Sequence, residues 1–241
     1  MDFFTIMIIL ITLVVFVFIV LIAFVLKKSK DVKTQEFLEN ERTELRQNLL
    51  KKRKKLLSYK AELYLQITDA MTFTRTTAVT NEKISGLLYN KQQKPIIAFE
   101  RVERSMNTTG QLIAMTKKQE FVYEFQGMHI KLFCDDILLG TWDKSGILYD
   151  ANKKRFGQFK RTAATTDTQF PLILNNRQIA SIKKAPLYDG ITSSSVTQVF
   201  DELNFGASLL TLDDIPNPTE ENWLLALTIF EITFYGNTTV H

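Results

Sequence analysis

The sequence predicts an α+β chain: an N-terminal transmembrane helix and a long helical stalk, then an antiparallel β-barrel-like domain with a buried C-terminal hydrophobic helix. Three observations predict it. Phe3–Leu26 is an uncharged run of 24 residues. Residues 32–70 contain no Gly or Pro and repeat apolar side chains at spacings near three and four. From Pro95 onward, short β-branched and aromatic runs are separated by Asp, Asn and Gly, the pattern of strands joined by tight turns.

The first element, residues 1–26, reads as a membrane anchor. A helix rising ~1.5 Å per residue crosses a ~30 Å hydrocarbon core in about 20 residues. Asp2 precedes the run and Val25-Leu26-Lys27-Lys28 follows it. A cleaved signal peptide needs instead a basic leader and a small-residue cleavage site. Lys27, Lys28, Lys30 and Lys33 follow the run and no Lys or Arg precedes it. The positive-inside rule then sets the topology: a single-pass protein of the plasma (inner) membrane, N-terminus outside and C-terminal domain cytoplasmic. The same four lysines are candidate membrane-interface residues.

Residues 27–74 read as a basic amphipathic stalk helix. Leu38, Leu45, Leu49, Leu56, Tyr59, Leu63 and Ala70 fall on one stripe, broken at Arg42, Lys52 and Gln66. The stripe has two readings, a coiled-coil seam between two copies or a face laid on the chain's own domain. The net charge of +4 resides here: residues 27–70 hold 12 Lys/Arg against 7 Asp/Glu, and residues 71–241 hold 18 of each. A nucleic-acid-binding domain shows the opposite distribution, so no nucleic-acid partner is expected. Lys51–Lys55 lies roughly 37 Å from the anchor at ~1.5 Å per residue, well beyond the ~8 Å Debye length. It reads as a solvated helix face.

Residues 75–94 read as a linker, and residues 95–241 as the β domain. Three segments resemble one another: Leu132–Trp142, Leu148–Phe159 and Leu172–Ile182. Each is a strand, an Asp/Asn turn and a second strand with a small residue at its middle, Gly140, Gly157 and Ala180. Asp and Asn tolerate the left-handed conformations of tight turns. A small residue in mid-strand marks a close approach to the backbone.

Asn217-Pro218-Thr219-Glu220 fits a helix start, with Asn as N-cap, Pro at N1 and Glu at N3. The run after it, Trp223 to Phe234, is apolar nearly all round, and such a helix needs burial on every side. An alternative is a C-terminal strand, since Phe230, Ile232 and Phe234 alternate with Glu231 and Thr233.

The segment Ile147–Phe159 and the terminal Trp223–Ile232 run resemble the superfamily of tubby C-terminal domains, LURP-one-related proteins and phospholipid scramblases. The resemblance covers residues ~95–236. It implies an antiparallel barrel enclosing a hydrophobic helix and a lipid-linked function. It transfers no binding residue.

The inventory of reactive groups is thin. Cys134 is the only cysteine, which excludes an internal disulfide. It lies five residues from His129, on the opposite face of a regular strand, so the two do not form a nucleophilic pair. No metal-ligand spacing, phosphate-binding loop or nucleophile motif occurs. No cofactor, metal or catalytic residue is expected. Asp135-Asp136 and Asp213-Asp214 read as turn residues. Glu231 is the candidate buried functional acid, the competing reading being a carboxylate bonded to backbone at the barrel mouth. Lys153, Lys154, Arg155, Lys160 and Arg161 form a candidate anion or partner patch. The function expected is a membrane-anchored, non-enzymatic binding or scaffold protein that presents a tubby-like domain to a protein or lipid partner, with homodimerisation through the stalk. The alternative is a phospholipid-binding or scramblase-like lipid-handling protein.

Overall fold

A long antiparallel meander dominates the computed structural model, which describes residues 3–31, 35–58, 62–77, 81–104, 109–127, 129–143, 145–160, 169–185, 197–200 and 208–234. The chain divides into two units, Met1–Glu44 and Leu45–His241. The first holds helix α1 (Phe3–Asp31) and the start of α2 (Gln35–Arg53). Among the described residues, thirteen strands make one sheet in the second unit: β1 (Met71–Thr77), β2 (Glu82–Tyr89), β3 (Pro95–Arg104), β4 (Thr109–Met115), β5 (Glu120–Gln126), β6 (His129–Cys134), β7 (Ile137–Trp142), β8 (Ile147–Asp150), β9 (Arg155–Phe159), β10 (Gln169–Leu174), β11 (Arg177–Lys183), β12 (Thr197–Phe200) and β13 (Leu210–Leu212). Helix α3 (Pro218–Phe234) follows.

Two parts of the expected architecture are corrected. Among the described residues, no helix is long and apolar enough to cross a membrane. This overturns the transmembrane anchor at 1–26, the single-pass topology and the membrane location drawn from it. The long coiled-coil stalk at 27–74 is also overturned. Helix α2 ends at Arg53 in turns closed by Lys55 N–H to the Lys52 carbonyl (3.0 Å) and Leu56 N–H to the Arg53 carbonyl (3.2 Å). Leu57 N–H then donates to the Pro95 carbonyl (2.9 Å), and β1 begins at Met71. Three leucines of the stripe are taken up by the chain's own sheet. Leu45, Leu49 and Leu56 pack on Ala98, Val102, Ile113, Met115 and Val122 of the chain's own sheet.

Strands β1 to β11 pair consecutively, with β12 beside β1 and β13 beside β11. The order is that of an open sheet. Among the described residues, one isolated bridge, Thr68 to Ser208, joins the chain just before β1 to the chain just before β13. Sequence explains which strands are buried on both faces. In β3, Ile96-Ile97-Ala98-Phe99 is a continuous apolar run, and all four residues are buried; α2 covers the outer face there. In strand β6, Ile130, Leu132 and Cys134 are buried while His129 and Lys131 on the other face are exposed, and Phe133 on that face is partly covered by the α2 leucine cluster.

The inner face wraps α3, from Trp223 to Thr233 a wholly buried helix. Tyr123 (β5) donates its hydroxyl to the Ala226 carbonyl at 2.8 Å. Trp142 (β7) meets Phe230 edge-on, with centroids 5.3 Å apart, and Phe156 (β9) stacks on Trp223 at 5.7 Å. Arg101 (β3) donates to the carbonyls of Thr233 (3.1 Å) and Phe234 (2.9 Å), satisfying the helix C-terminus.

The repeated hairpins show how the sheet bends. The turns Asp135-Asp136 (φ 50° and 63°) and Asn175-Asn176 (φ 50° and 64°) are left-handed at both positions, as two-residue hairpin turns require. In β6–β7, Leu132 pairs with Gly140 and Phe133 with Leu138, which leaves Leu139 unpaired. The same arithmetic leaves Phe156 unpaired in β8–β9 and Ile179 in β10–β11. Each bulge falls one residue before the small residue of its hairpin. A bulge bends and twists its strand, and three at equivalent positions turn the sheet around α3.

Candidate functional site

The hairpin tips β4–β5, β6–β7, β8–β9 and β10–β11 lie at the end of the sheet where α3 begins. The helix start is fixed there by its own sequence. Asn217 Oδ1 accepts from the N–H groups of Thr219 and Glu220, both at 3.0 Å, and Glu220 Oε2 accepts from Asn217 N–H at 2.9 Å. This is a reciprocal cap. Glu220 is fully buried and also accepts from Arg177 Nη2 (2.7 Å) and Asn175 Nδ2 (2.8 Å). The β10–β11 turn is thereby tied to the first turn of α3.

Lys153, Lys154 and Arg155 come together at the exposed β8–β9 tip, shaped by Asp150, whose Oδ1 accepts from Asn152 N–H (2.9 Å) and Lys154 N–H (2.8 Å). Arg155 donates to Gln158 Oε1 at 3.2 Å. Lys160 is exposed but follows the far end of β9, about 16 Å away at ~3.3 Å per residue. It does not join the tip. Arg161 and Lys33 lie outside the described residues. Lys27, Lys28 and Lys30 fall on the last turns of α1.

Glu231 is fully buried on α3 and accepts from Ala185 N–H at 3.1 Å, so the carboxylate pins the chain after β11 to the helix. His129 is exposed and Cys134 buried on the other face of β6. Burial, and secondarily the Asp135 carboxylate, push the Cys134 thiol up to about 12, so it stays protonated at neutral pH. Asp135 Oδ1 accepts from Glu120 N–H (2.9 Å), and Asp136 Oδ1 accepts from Arg46 Nη2 (2.6 Å). Asp213 and Asp214 both donate their backbone N–H to the Ile179 carbonyl. Both acid pairs are turn and anchoring residues. The Lys51–Lys55 run is not uniformly solvated as expected. Lys52 turns toward Ser85 and Glu100 of the sheet, and Arg53 Nε donates to the Thr116 carbonyl at 3.0 Å.

A cleft that sequence reading missed lies between the 3-10 turn Leu63–Gln66, the 116–119 loop and the first turns of α3. Its volume is ≈ 330 Å³. Glu62, Tyr64, Lys118, Gln119, Glu221 and Leu225 are among its lining. The loop wall is braced: Thr116 Oγ1 accepts from Gln119 N–H at 2.8 Å, Lys117 Nζ donates to the Lys54 carbonyl at 2.9 Å, and Gln119 Nε2 donates to Asn222 Oδ1 at 2.9 Å. Burial first, then the carboxylates of Glu221 and Glu62, raise the Tyr64 hydroxyl above its ordinary range. No sequence signal announces this site, because its members come from four separate segments. Among the described residues no group of three or more His, Cys, Asp or Glu is placed to hold a metal ion. No family model, curated protein or solved structure matches the chain.

Proposed function

We propose that the β domain is a non-enzymatic binding module that offers the hairpin tips around the α3 N-terminus to an acidic protein partner. The observation that carries this reading is the filled interior. Residues Trp223 to Phe230 are no more than 4% exposed, so the space a barrel enzyme uses for substrate is occupied by the chain's own helix. The acids and the thiol are engaged in turns, caps and core, whereas Lys153 and Lys154 are exposed and make no side-chain ion pair among the described residues. Three adjacent cations on a rigid turn attract a partner's carboxylates and set its approach.

A second reading, binding to anionic phospholipid, is favoured by the same compact charge. It also accords with the resemblance to the tubby, LURP-one-related and scramblase superfamily, which a hydrophobic helix inside an antiparallel meander supports. The test is binding of the full chain to an immobilised poly-glutamate peptide and, separately, to phosphatidylcholine vesicles with and without phosphatidylserine. The triple variant K153E/K154E/R155E is measured in parallel. The first reading expects peptide binding that weakens with salt and falls about tenfold or more in the variant. Serine-lipid-dependent vesicle binding with no peptide binding shifts the assignment to the second reading. Wild-type behaviour of the triple variant in both arms defeats both.

A further inference from the structure

We propose that the acidic partner of the β8–β9 tip is a second copy of this chain. Two copies meet about a two-fold axis, the cationic β8–β9 tip of each against the acidic β6–β7 tip of the other. This dimer rests on the reading of the β8–β9 tip as an acid-binding surface and gives that acid its source.

The two tips are neighbours of opposite charge. Strand β7 pairs with β8, so the turns at 135–136 and 151–154 stand side by side at the α3 end of the sheet. One tip bears Lys153, Lys154 and Arg155, all exposed. On the other, Asp135 and Asp136 are exposed. With Glu120 they outweigh Arg46, which bridges Glu120 (2.5 Å) and Asp136 (2.6 Å). The Asp136 side chain stays 65% exposed in that pair, and a carboxylate accepts from more than one cation.

The tips also differ in height. Gly140 of β7 pairs with Asp150, the last residue of β8. The β8–β9 hairpin turns back directly past Asp150, whose N–H donates to the Lys154 carbonyl at 2.9 Å. Strand β7 extends three residues further from that level, to Ile137, up to roughly 10 Å at ~3.3 Å per residue. The acidic tip therefore stands above the cationic one. Ile137 is 71% exposed, the most exposed large apolar side chain on the described strands.

Charge and shape together select the occupant. A flat anionic surface, bilayer or protein, that descended on Lys153 and Lys154 would meet Asp136 and Ile137 first, and the like charges oppose it. A second copy turned by the two-fold axis presents the reverse step. Its raised acidic tip reaches over the low cationic tip, while its own cations receive the first copy's acids. Such an isologous contact makes every pairing twice and covers Ile137 on both copies. Hairpin tips bury little area, in the class below ~1,200 Å², so the association is weak and salt-dependent.

The test mixes isotope-labelled and unlabelled full chain in equal amounts and joins them with a zero-length carbodiimide. The protein is held at about 0.5 mM, above a dissociation constant on the order of 100 μM. Mass spectrometry is expected to find mixed-label peptide pairs joining residues 153–154 to residues 135–136, and to lose them in about 1 M salt, where the Debye length is ~3 Å. This arm uses the unaltered chain, so it decides even where a variant fails to fold. Sedimentation equilibrium then compares variants. K153E/K154E/R155E and D136K/I137K should each weaken self-association about tenfold or more. Their equal mixture should associate within severalfold of wild type, because each offers the other the opposite sign. Absence of mixed-label pairs between the tips, wild-type association of either charge-reversed variant, or a mixture no tighter than its components overturns the second copy as partner. If poly-glutamate still binds the β8–β9 tip in that case, the acidic partner is a different protein and the reading of the tip stands; if it does not, both fall. Phosphatidylserine-dependent vesicle binding without mixed-label pairs also overturns the dimer, in favour of lipid.

Discussion

Gly140→Ala adds one methyl group where the fold has no space for it. Gly140 has φ 156°, and a Cβ there would sit 1.9 Å from the Tyr149 carbonyl oxygen and 2.9 Å from Trp223 Cζ2. Neither neighbour retreats freely. Tyr149 is paired with Thr141 in the β7–β8 ladder, and Trp223 is 1% exposed and stacked on Phe156. Overpacking costs about 1–3 kcal/mol, and forcing an L-residue into this backbone region adds about 1–3 kcal/mol more. We expect a loss of about 3 kcal/mol. With a urea dependence of ~2 kcal/mol/M, the unfolding midpoint falls by roughly 1.5 M. Tryptophan fluorescence reports the transition directly, because Trp142 and Trp223 are the only two tryptophans and both are buried. Ala180→Gly is the control, since the equivalent position in β10–β11 already accommodates a methyl group; it should cost no more than about 1 kcal/mol. A Gly140→Ala midpoint within error of wild type would refute the argument that this backbone is pressed against the enclosed helix.

Leu49→Ala should lower stability by about 2–5 kcal/mol in the same assay, because Leu49 is fully buried against the outer face of the sheet; a neutral result would mean that α2 does not pack there. Cys134 should resist iodoacetamide at pH 8, reacting about a thousandfold more slowly than a free thiol until urea unfolds the chain, since its thiol titrates near 12 against an ordinary value of about 8.5. Rapid alkylation of the native protein, followed by mass spectrometry, would show that β6 opens locally or that the thiol is not enclosed.

Features set by two to four neighbouring residues were legible without coordinates. The reciprocal cap at Asn217–Glu220, the left-handed turns at Asp135-Asp136 and Asn175-Asn176, and the opposite faces of His129 and Cys134 follow from short-range geometry. The small residues Gly140, Gly157 and Ala180 signalled a close approach but not its form, which is a bulge on the preceding residue. The boundary expected between stalk and linker, at residue 74, falls inside β1. Met71, Phe73 and Arg75 alternate with Thr72, Thr74 and Thr76 as β1, a period-two pattern too short to stand out beside the helical text before it. The candidate patch was half legible: Lys153–Arg155 are neighbours in sequence and in space, whereas Lys160 is carried to the other end by a strand.

By itself the sequence determined where α3 starts, that the Asp135-Asp136 and Asn175-Asn176 turns are left-handed and that the Trp223–Phe234 run must be covered on all sides. Only the tertiary structure decided what covers what. Leu45, Leu49 and Leu56 make the same stripe whether they meet another copy or the chain's own sheet, because apolar burial is non-directional. Their partners, Ala98, Ile113 and Val122 among them, arrive from distant strands. The cleft around Tyr64 arises likewise from segments that share no local pattern, since which side chains share a cleft depends on how the chain is packed.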